Sequence, residues 1–266
     1  MEKIYEYIEK HASKPDAALE WVVKQTHIRT NHARMLSGMV QGQLLRMMVQ
    51  MCGAKRILEL GTFTGFSAIC LASGMPSDGH LDTLELNDEL EDLILEGFER
   101  AGLEDKIQLH IGDCKETLKA LRVGMGLPEM PACCSEEGIF GETEAEVGSG
   151  ASGSTAKAGS GTSDSVAETG SDERSSTAEK MYDIVYMDAN KREYCEYYDL
   201  VFDMVRPGGL ILADNVIWDG KVCQDPLPQD KQTLSIVKFN DMVTADPRVE
   251  SVIMPLRDGL NIIRKK

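Results

Sequence analysis

Apolar positions in this chain fall into two alternating kinds of run. Short continuous apolar stretches at Arg56–Leu60, Leu81–Leu86, Lys106–Ile111, Tyr182–Asp188 and Leu210–Asp214 read as buried strands. Between them, Phe66–Ala72, Asp88–Ala101, Lys115–Leu121, Tyr194–Val205 and Lys231–Ala245 carry apolar residues at helical spacing. Breakers separate the runs: Pro76-Ser77-Asp78-Gly79, Gly102 and Pro207-Gly208-Gly209. Strands alternating with helices in this way predict a doubly wound α/β fold with a mostly parallel sheet. Val249–Met254 and Leu260–Arg264, joined around Asp258-Gly259, predict a terminal hairpin, and hence an antiparallel edge strand. With it the sheet has seven strands. Residues 1 to about 53 read as helices ahead of the first strand. Asp16, after Pro15, is placed to cap one of them, and Met39–Met51 is apolar around much of its circumference, as a helix lying on a sheet would be. Its methionines read as core filler.

The alternation stops from about Gly124 to Lys180, where Ser, Gly, Thr, Ala and Glu dominate and large apolar residues nearly vanish. Such a segment cannot bury enough surface to offset its ordering entropy, so a disordered insert is expected at 124–180 within one domain spanning 1–266. It falls in a helix-to-strand connection, on the sheet edge away from any ligand at the strands' carboxyl ends. A tolerated insertion is the plain reading, and a docking segment is the other.

The chain has 266 residues, 42% of them hydrophobic, enough for one large α/β core. Its formal charge of −16 argues against a general nucleic-acid binder. Residues 135–180 hold ten acids and three bases, so they account for −7, and the remainder is still at −9. No apolar run approaches the ~20 residues that span a bilayer, and the charged start Met1-Glu2-Lys3 suits no signal peptide. A cytoplasmic protein is the expectation. Seven cysteines, an odd number without a Cys-x-x-Cys pair, read as reduced and mostly structural thiols.

Arg56–Gly65 is the stretch that points to chemistry. An apolar strand enters a glycine turn and a helix follows, which puts a ligand at the strand's carboxyl end. The dinucleotide fingerprint fails because Phe63 stands where a glycine belongs, and the phosphate-loop lysine is absent from Gly65-Phe66-Ser67. Glu59 at the strand tip would repel a pyrophosphate but suit an ammonium group. Glu85, at the tip of the next strand, can accept hydrogen bonds from a ribose diol. Asp188 and Asp214-Asn215 end two further strands, and two carboxylates with one amide carbonyl form a hard-oxygen set suited to Mg²⁺. Taken singly, each acid could as well cap a helix or shape a turn.

Glu59-Leu60-Gly61-Thr62-Phe63-Thr64-Gly65, with Glu85 and Gly112-Asp113, resembles the cofactor site of S-adenosylmethionine-dependent methyltransferases with the class I, Rossmann-like fold. With Asp188 and Asp214-Asn215 the chain is most similar to the cation-dependent O-methyltransferases, which include the catechol and caffeoyl-coenzyme-A enzymes. The resemblance runs from about residue 30 to 265 apart from the insert. It implies a cofactor site of Ser37, Glu59, Gly61, Thr62, Gly65, Ser67, Glu85, Asp113 and Asp188, and a Mg²⁺ or other divalent cation on Asp188, Asp214 and Asn215. Ser37 would lie over the cofactor, Ser67 would hold its methionine carboxylate, and Asp113 would meet its adenine end. Lys191 would be the catalytic base beside Asp188, and Trp218 a wall of the substrate site. Each has a plainer alternative, a solvated helix-start lysine and a half-buried tryptophan. A homodimer and a small aromatic acceptor with adjacent hydroxyls are further implications.

The chain departs from the caffeoyl-coenzyme-A pattern at Asn190 and Glu193, which bears on the substrate more than on the reaction. Two other functions fit the same residues. One is O-methylation of a hydroxylated wobble uridine in tRNA, for which Lys191-Arg192, Lys221 and Arg257 are only scattered basic candidates; the other is a non-catalytic cofactor-binding protein. The insert offers a test from composition alone: replacing residues 135–180 by a short Gly/Ser linker is expected to leave stability, measured by thermal unfolding, within about 1 kcal/mol.

Overall fold

The computed structural model describes residues 2–128 and 180–266. The insert expected at 124–180 lies outside the described residues except at its ends. There the sequence boundary was set too early, because Met125 is buried and Leu127 packs on the core. Strands β1 (Arg56–Leu60), β2 (His80–Glu85), β3 (Ile107–Ile111), β4 (Tyr182–Met187), β5 (Val205–Asp214), β6 (Val249–Met254) and β7 (Leu260–Lys265) form one sheet in the order β3-β2-β1-β4-β5-β7-β6. The first five are parallel, and β7 runs antiparallel between β5 and β6. This is the doubly wound, seven-stranded sheet with an antiparallel edge that the apolar pattern predicts.

Helices α1 (Glu2–His11), α2 (Ala17–Arg29), α3 (Met39–Cys52), α4 (Phe66–Gly74), α5 (Glu91–Ala101), α6 (Cys114–Gly124), α7 (Tyr194–Phe202) and α8 (Lys231–Ala245) connect or precede the strands. Two apolar layers result. One packs α2–α5 on Ile57, Leu81, Ile184 and Leu212, and the other packs α6–α8 on Leu58, Leu84, Val185 and Ile211. Side chains of adjacent positions in each strand thus serve opposite faces. Asp16 caps α2 by accepting from the Leu19 amide at 2.9 Å, as its position after Pro15 implies. The helix predicted to run to Val205 stops at Phe202, since Val205 already begins β5. Pro207-Gly208-Gly209 is likewise not a turn ahead of β5 but an irregularity inside it, where the register against β4 shifts between Tyr182 and Ile184.

Two features tune the amino and carboxyl edges of the sheet. At the amino edge, the Lys180 ammonium donates to the Gly124 carbonyl at 3.1 Å and the Arg56 guanidinium to the Lys180 carbonyl at 3.1 Å. The chain therefore leaves α6 and returns toward β4 at one place. At the carboxyl edge, Gly61 follows β1 with φ +95° beside the Asp188 carbonyl, so close that an added Cβ would collide with that oxygen and lie 2.8 Å from its carbon. Only glycine tolerates both the conformation and the contact. Gly61→Ala is expected to cost at least about 1–3 kcal/mol, the scale of such backbone strain, read as a drop in the thermal midpoint of unfolding.

Candidate active site

The carboxyl tips of β1, β2, β4 and β5 converge on one crevice, and the predicted residues divide over it by strand. Glu59, on the α3–α4 face of β1, is fully buried. Its Oε2 accepts from the Thr83 hydroxyl at 2.5 Å, while Oε1 has no hydrogen-bond partner. Burial, with the nearby Asp188 and Glu85 carboxylates adding to it, pushes the Glu59 carboxyl up to about 8. Thr62 is buried behind the loop, its hydroxyl 2.6 Å from that of Thr83 and its amide bonded to the Leu84 carbonyl. Since Thr83 spends its proton on Glu59, Thr62 donates to Thr83, and its side chain is used inside the protein. Gly65, with φ +84°, opens α4, and Ser67 is buried in that helix's first turn.

Glu85 ends β2 with its carboxylate held from both sides. The Phe63 amide donates to Oε2 at 2.7 Å and the Asn87 amide to Oε1 at 2.8 Å. Each oxygen keeps a second lone pair for a ligand. Leu86 and Ile111, both large and exposed, flank Glu85 at the tips of β2 and β3. This exposed aliphatic pair beside a polar strand tip was not anticipated from the sequence. Asp113 caps α6, its Oδ1 accepting from the Lys115 and Glu116 amides. That is the plain role of an acid at this position.

Asp188 and Asp214 end adjacent strands. Lys191, nine-tenths buried, donates from Nζ to Asp188 Oδ1 at 2.6 Å and to the Tyr194 hydroxyl at 2.8 Å. It is not the solvated helix-start lysine of the alternative reading. Burial and the Asp214 charge raise the Asp188 carboxyl to about 6 against the opposing pull of Lys191. Asp214 is almost fully buried: Oδ2 accepts from Gln41 at 2.6 Å and Tyr186 at 2.8 Å, and Oδ1 from the Asn215 amide at 2.8 Å. Ser37 lies 3.5 Å from the Tyr186 hydroxyl, which brings the segment ahead of α3 to the same place. Gln41 and Tyr186 were not singled out from the sequence. A glutamine in an apolar helix and a tyrosine in a strand carry no local signal of a polar contact.

Asn215 turns out of β5 at φ +59°, and no hydrogen bond among the described residues engages its side-chain amide. The donor set fits a small divalent cation: two carboxylates with lone pairs to spare and one amide carbonyl, all at one crevice. Among the described residues no three His, Cys, Asp or Glu side chains cluster as metal ligands. Trp218 is half-buried with its indole N–H buried and unpartnered.

Among the described residues, five non-glycine residues have positive φ, and all border the crevice: Phe63 in the glycine turn, Asn215, Trp218 and Asp219 after β5, and Arg257 in the β6–β7 turn. That turn grips both walls. The Arg257 guanidinium donates to the Leu36 carbonyl, and the Asp258 carboxylate accepts from the Asp219 amide. Strained backbone concentrated in one place is characteristic of a functional site.

The Glu59 shift has a measurable consequence. A carboxyl that titrates near 8 when folded but near 4.3 when unfolded makes the folded state bind the extra proton between those values. Stability then falls as pH rises through that window. The Asp188 contribution has the same sign but is complete by about pH 6. Between pH 6 and 8 the thermal midpoint of the ligand-free protein should therefore decline, and Glu59→Gln should flatten that decline.

Comparison with known proteins gives the family and agrees with the fold. A family model described as O-methyltransferase matches residues 9–131 and 161–266. The caffeoyl-CoA O-methyltransferase 1 of Arabidopsis thaliana is 26% identical over 230 residues, covering 85% of this chain and 69% of that protein. Among solved structures, an O-methyltransferase from Bacillus cereus in complex with S-adenosylhomocysteine superposes with a TM-score of 0.71 at 23% identity, covering 99% of this chain and 97% of the other. TomG of Streptomyces achromogenes, in complex with S-adenosylmethionine, gives 0.72 at 22% identity, with 99% and 96% covered. No described helix is long and apolar enough to cross a membrane. This chain belongs to the O-methyltransferase family, enzymes that draw their methyl group from S-adenosylmethionine.

Proposed function

We propose that the protein transfers a methyl group from S-adenosylmethionine to one hydroxyl of a small aromatic with adjacent hydroxyls, with a divalent cation in the site. The observation that carries this reading is the juxtaposition of Asp188, Lys191 and Asp214 at neighbouring strand tips, beside the glycine turn of β1. The cofactor would lie across β1 and β2. Gly61 and Gly65 let its backbone-facing side come close, Glu59 offers an unpartnered oxygen to its cationic end, and Glu85 offers lone pairs to a ribose diol. Ser37, Ser67 and Asp113 border that path, and the exposed Leu86 and Ile111 give its base an apolar seat.

Asp188, Asp214 and the Asn215 carbonyl would hold a cation such as Mg²⁺. It would supply the Lewis acidity that lets a phenolic hydroxyl ionise near neutral pH. Lys191 spends two donors on Asp188 and Tyr194, which fixes Nζ at the crevice, and it takes up the hydroxyl proton there. Trp218 forms a wall that orients the ring for in-line attack. The caffeoyl-CoA names of the plant relatives support an aromatic acceptor with vicinal oxygens. The residues that depart from their pattern have structural roles here: Asn190 accepts from the Arg192 amide, and Glu193 binds Lys115 and Tyr197.

The test is methyl transfer from labelled cofactor into separate pools of catechols and undermodified tRNA. Label is expected in the catechol pool, lost in excess chelator and restored by Mg²⁺ or Mn²⁺. Label confined to tRNA, or full turnover in chelator, would replace this reading. Lys191→Ala should lower kcat by roughly 10²–10⁴-fold with KM nearly unchanged. A more acidic nitrocatechol should recover much of that loss, because its proton leaves without help. An unchanged rate on catechol would remove Lys191 from the chemistry.

A further inference from the structure

The Asp214 carboxylate is built into a network that reaches beyond the residues needed to bind a cation. Tyr186 is fully buried in β4 and Gln41 almost fully buried in α3, and both meet Asp214 Oδ2. The directions of these bonds follow from the acceptor. A carboxylate has no proton to give, so Tyr186 donates its only hydrogen to Asp214. The Tyr186 oxygen can then only accept, and it takes a hydrogen from Gln41 Nε2 at 3.0 Å. The Gln41 Nε2 amide therefore donates toward both the carboxylate and the phenol. This fixes the rotamer of its amide and strands its Oε1, which is buried with no partner.

An unpartnered buried oxygen is costly, and a methionine or leucine at 41 would avoid it. What is set against that cost is the pair of bonds Gln41 gives to the carboxylate and the phenol. We infer that Gln41 and Tyr186 are positioning residues for Asp214: together they occupy Oδ2 and hold it in one orientation, so that the remaining lone pair, on Oδ1, faces the cation beside Asp188 and Asn215. This rests on the cation site proposed above. Groups that orient a ligating carboxylate in this way commonly govern metal affinity by 10–100-fold.

The experiment uses the full chain and Mn²⁺ as the probe, with free ion followed by its paramagnetic resonance signal and S-adenosylhomocysteine affinity measured separately by calorimetry. Gln41→Met and Tyr186→Phe should each raise the Kd for Mn²⁺ by roughly 10–100-fold and change the S-adenosylhomocysteine Kd by less than about twofold. Gln41→Met removes the stranded oxygen together with two donated bonds, so its thermal midpoint should move little, and the separation of Mn²⁺ affinity from S-adenosylhomocysteine affinity is the deciding readout. Mn²⁺ binding that is unchanged or tighter in either variant overturns the inference. So does a joint loss of both ligand affinities and of thermal stability, which is what a merely structural role would give. Wild-type protein that binds S-adenosylhomocysteine but no Mn²⁺ overturns the cation site itself, and this inference falls with it.

Discussion

One buried hydroxyl holds the crevice together. Tyr194 Oη lies 3.0 Å from the carbonyls of Met187 and Asp214, the tips of two neighbouring strands, and accepts from Lys191 at 2.8 Å. The tyrosine begins α7 and packs edge-on against Phe239 of α8, with ring centroids 5.4 Å apart. The helix layer on one face of the sheet thereby sets the spacing of groups that work at its edge. A parallel sheet leaves the last carbonyls of its strands without partners, and here the single hydrogen of one phenol is shared between two of them.

The same economy recurs at β1. Its tip passes the Asp188 backbone without a side chain between them, so the glycine turn and the end of β4 are a single rigid unit. The turn is braced from the other side, where Thr26 of α2 bonds Thr64 at 2.8 Å. The N-terminal helices are thus part of the site's foundation. α3 is locked onto α4 at Gly42 and Gly74, where no Cβ would fit against Cys70, Phe66 or the Arg46 carbonyl, and from that fixed position it presents Gln41 to Asp214.

Much of this was legible before any coordinates. Strand tips are marked by where an apolar run meets Gly, Asp or Asn, so Glu59, Glu85, Asp188 and Asp214 could be placed at one edge from order alone. The parallel sheet follows from the alternation. Illegible were contacts between residues far apart in the chain whose own surroundings are unremarkable, such as Gln41 with Asp214 or Arg257 with Leu36. Amphipathic spacing says which face of α3 is buried but not that one buried position meets a carboxylate. The end of α7 was misjudged because Val201, Met204 and Val205 are all buried and apolar, so periodicity continues across the junction from helix to strand. Whether an acid serves a ligand or its own backbone was also beyond the sequence, as the cap at Asp113 shows.

The contact between Lys180 and Gly124 at the amino edge bears on how this fold tolerates change. Arg122, buried in α6, adds a second clasp by donating to the Leu200 and Pro128 carbonyls. Pro128 and Lys180, the two ends of the described chain at this junction, are thus both tied to the same helix. Both ends lie at the sheet edge opposite the crevice. A sequence joined to these two ends leaves and re-enters the domain away from the crevice, which makes the junction a natural port for grafting a foreign domain or for cutting new termini by circular permutation.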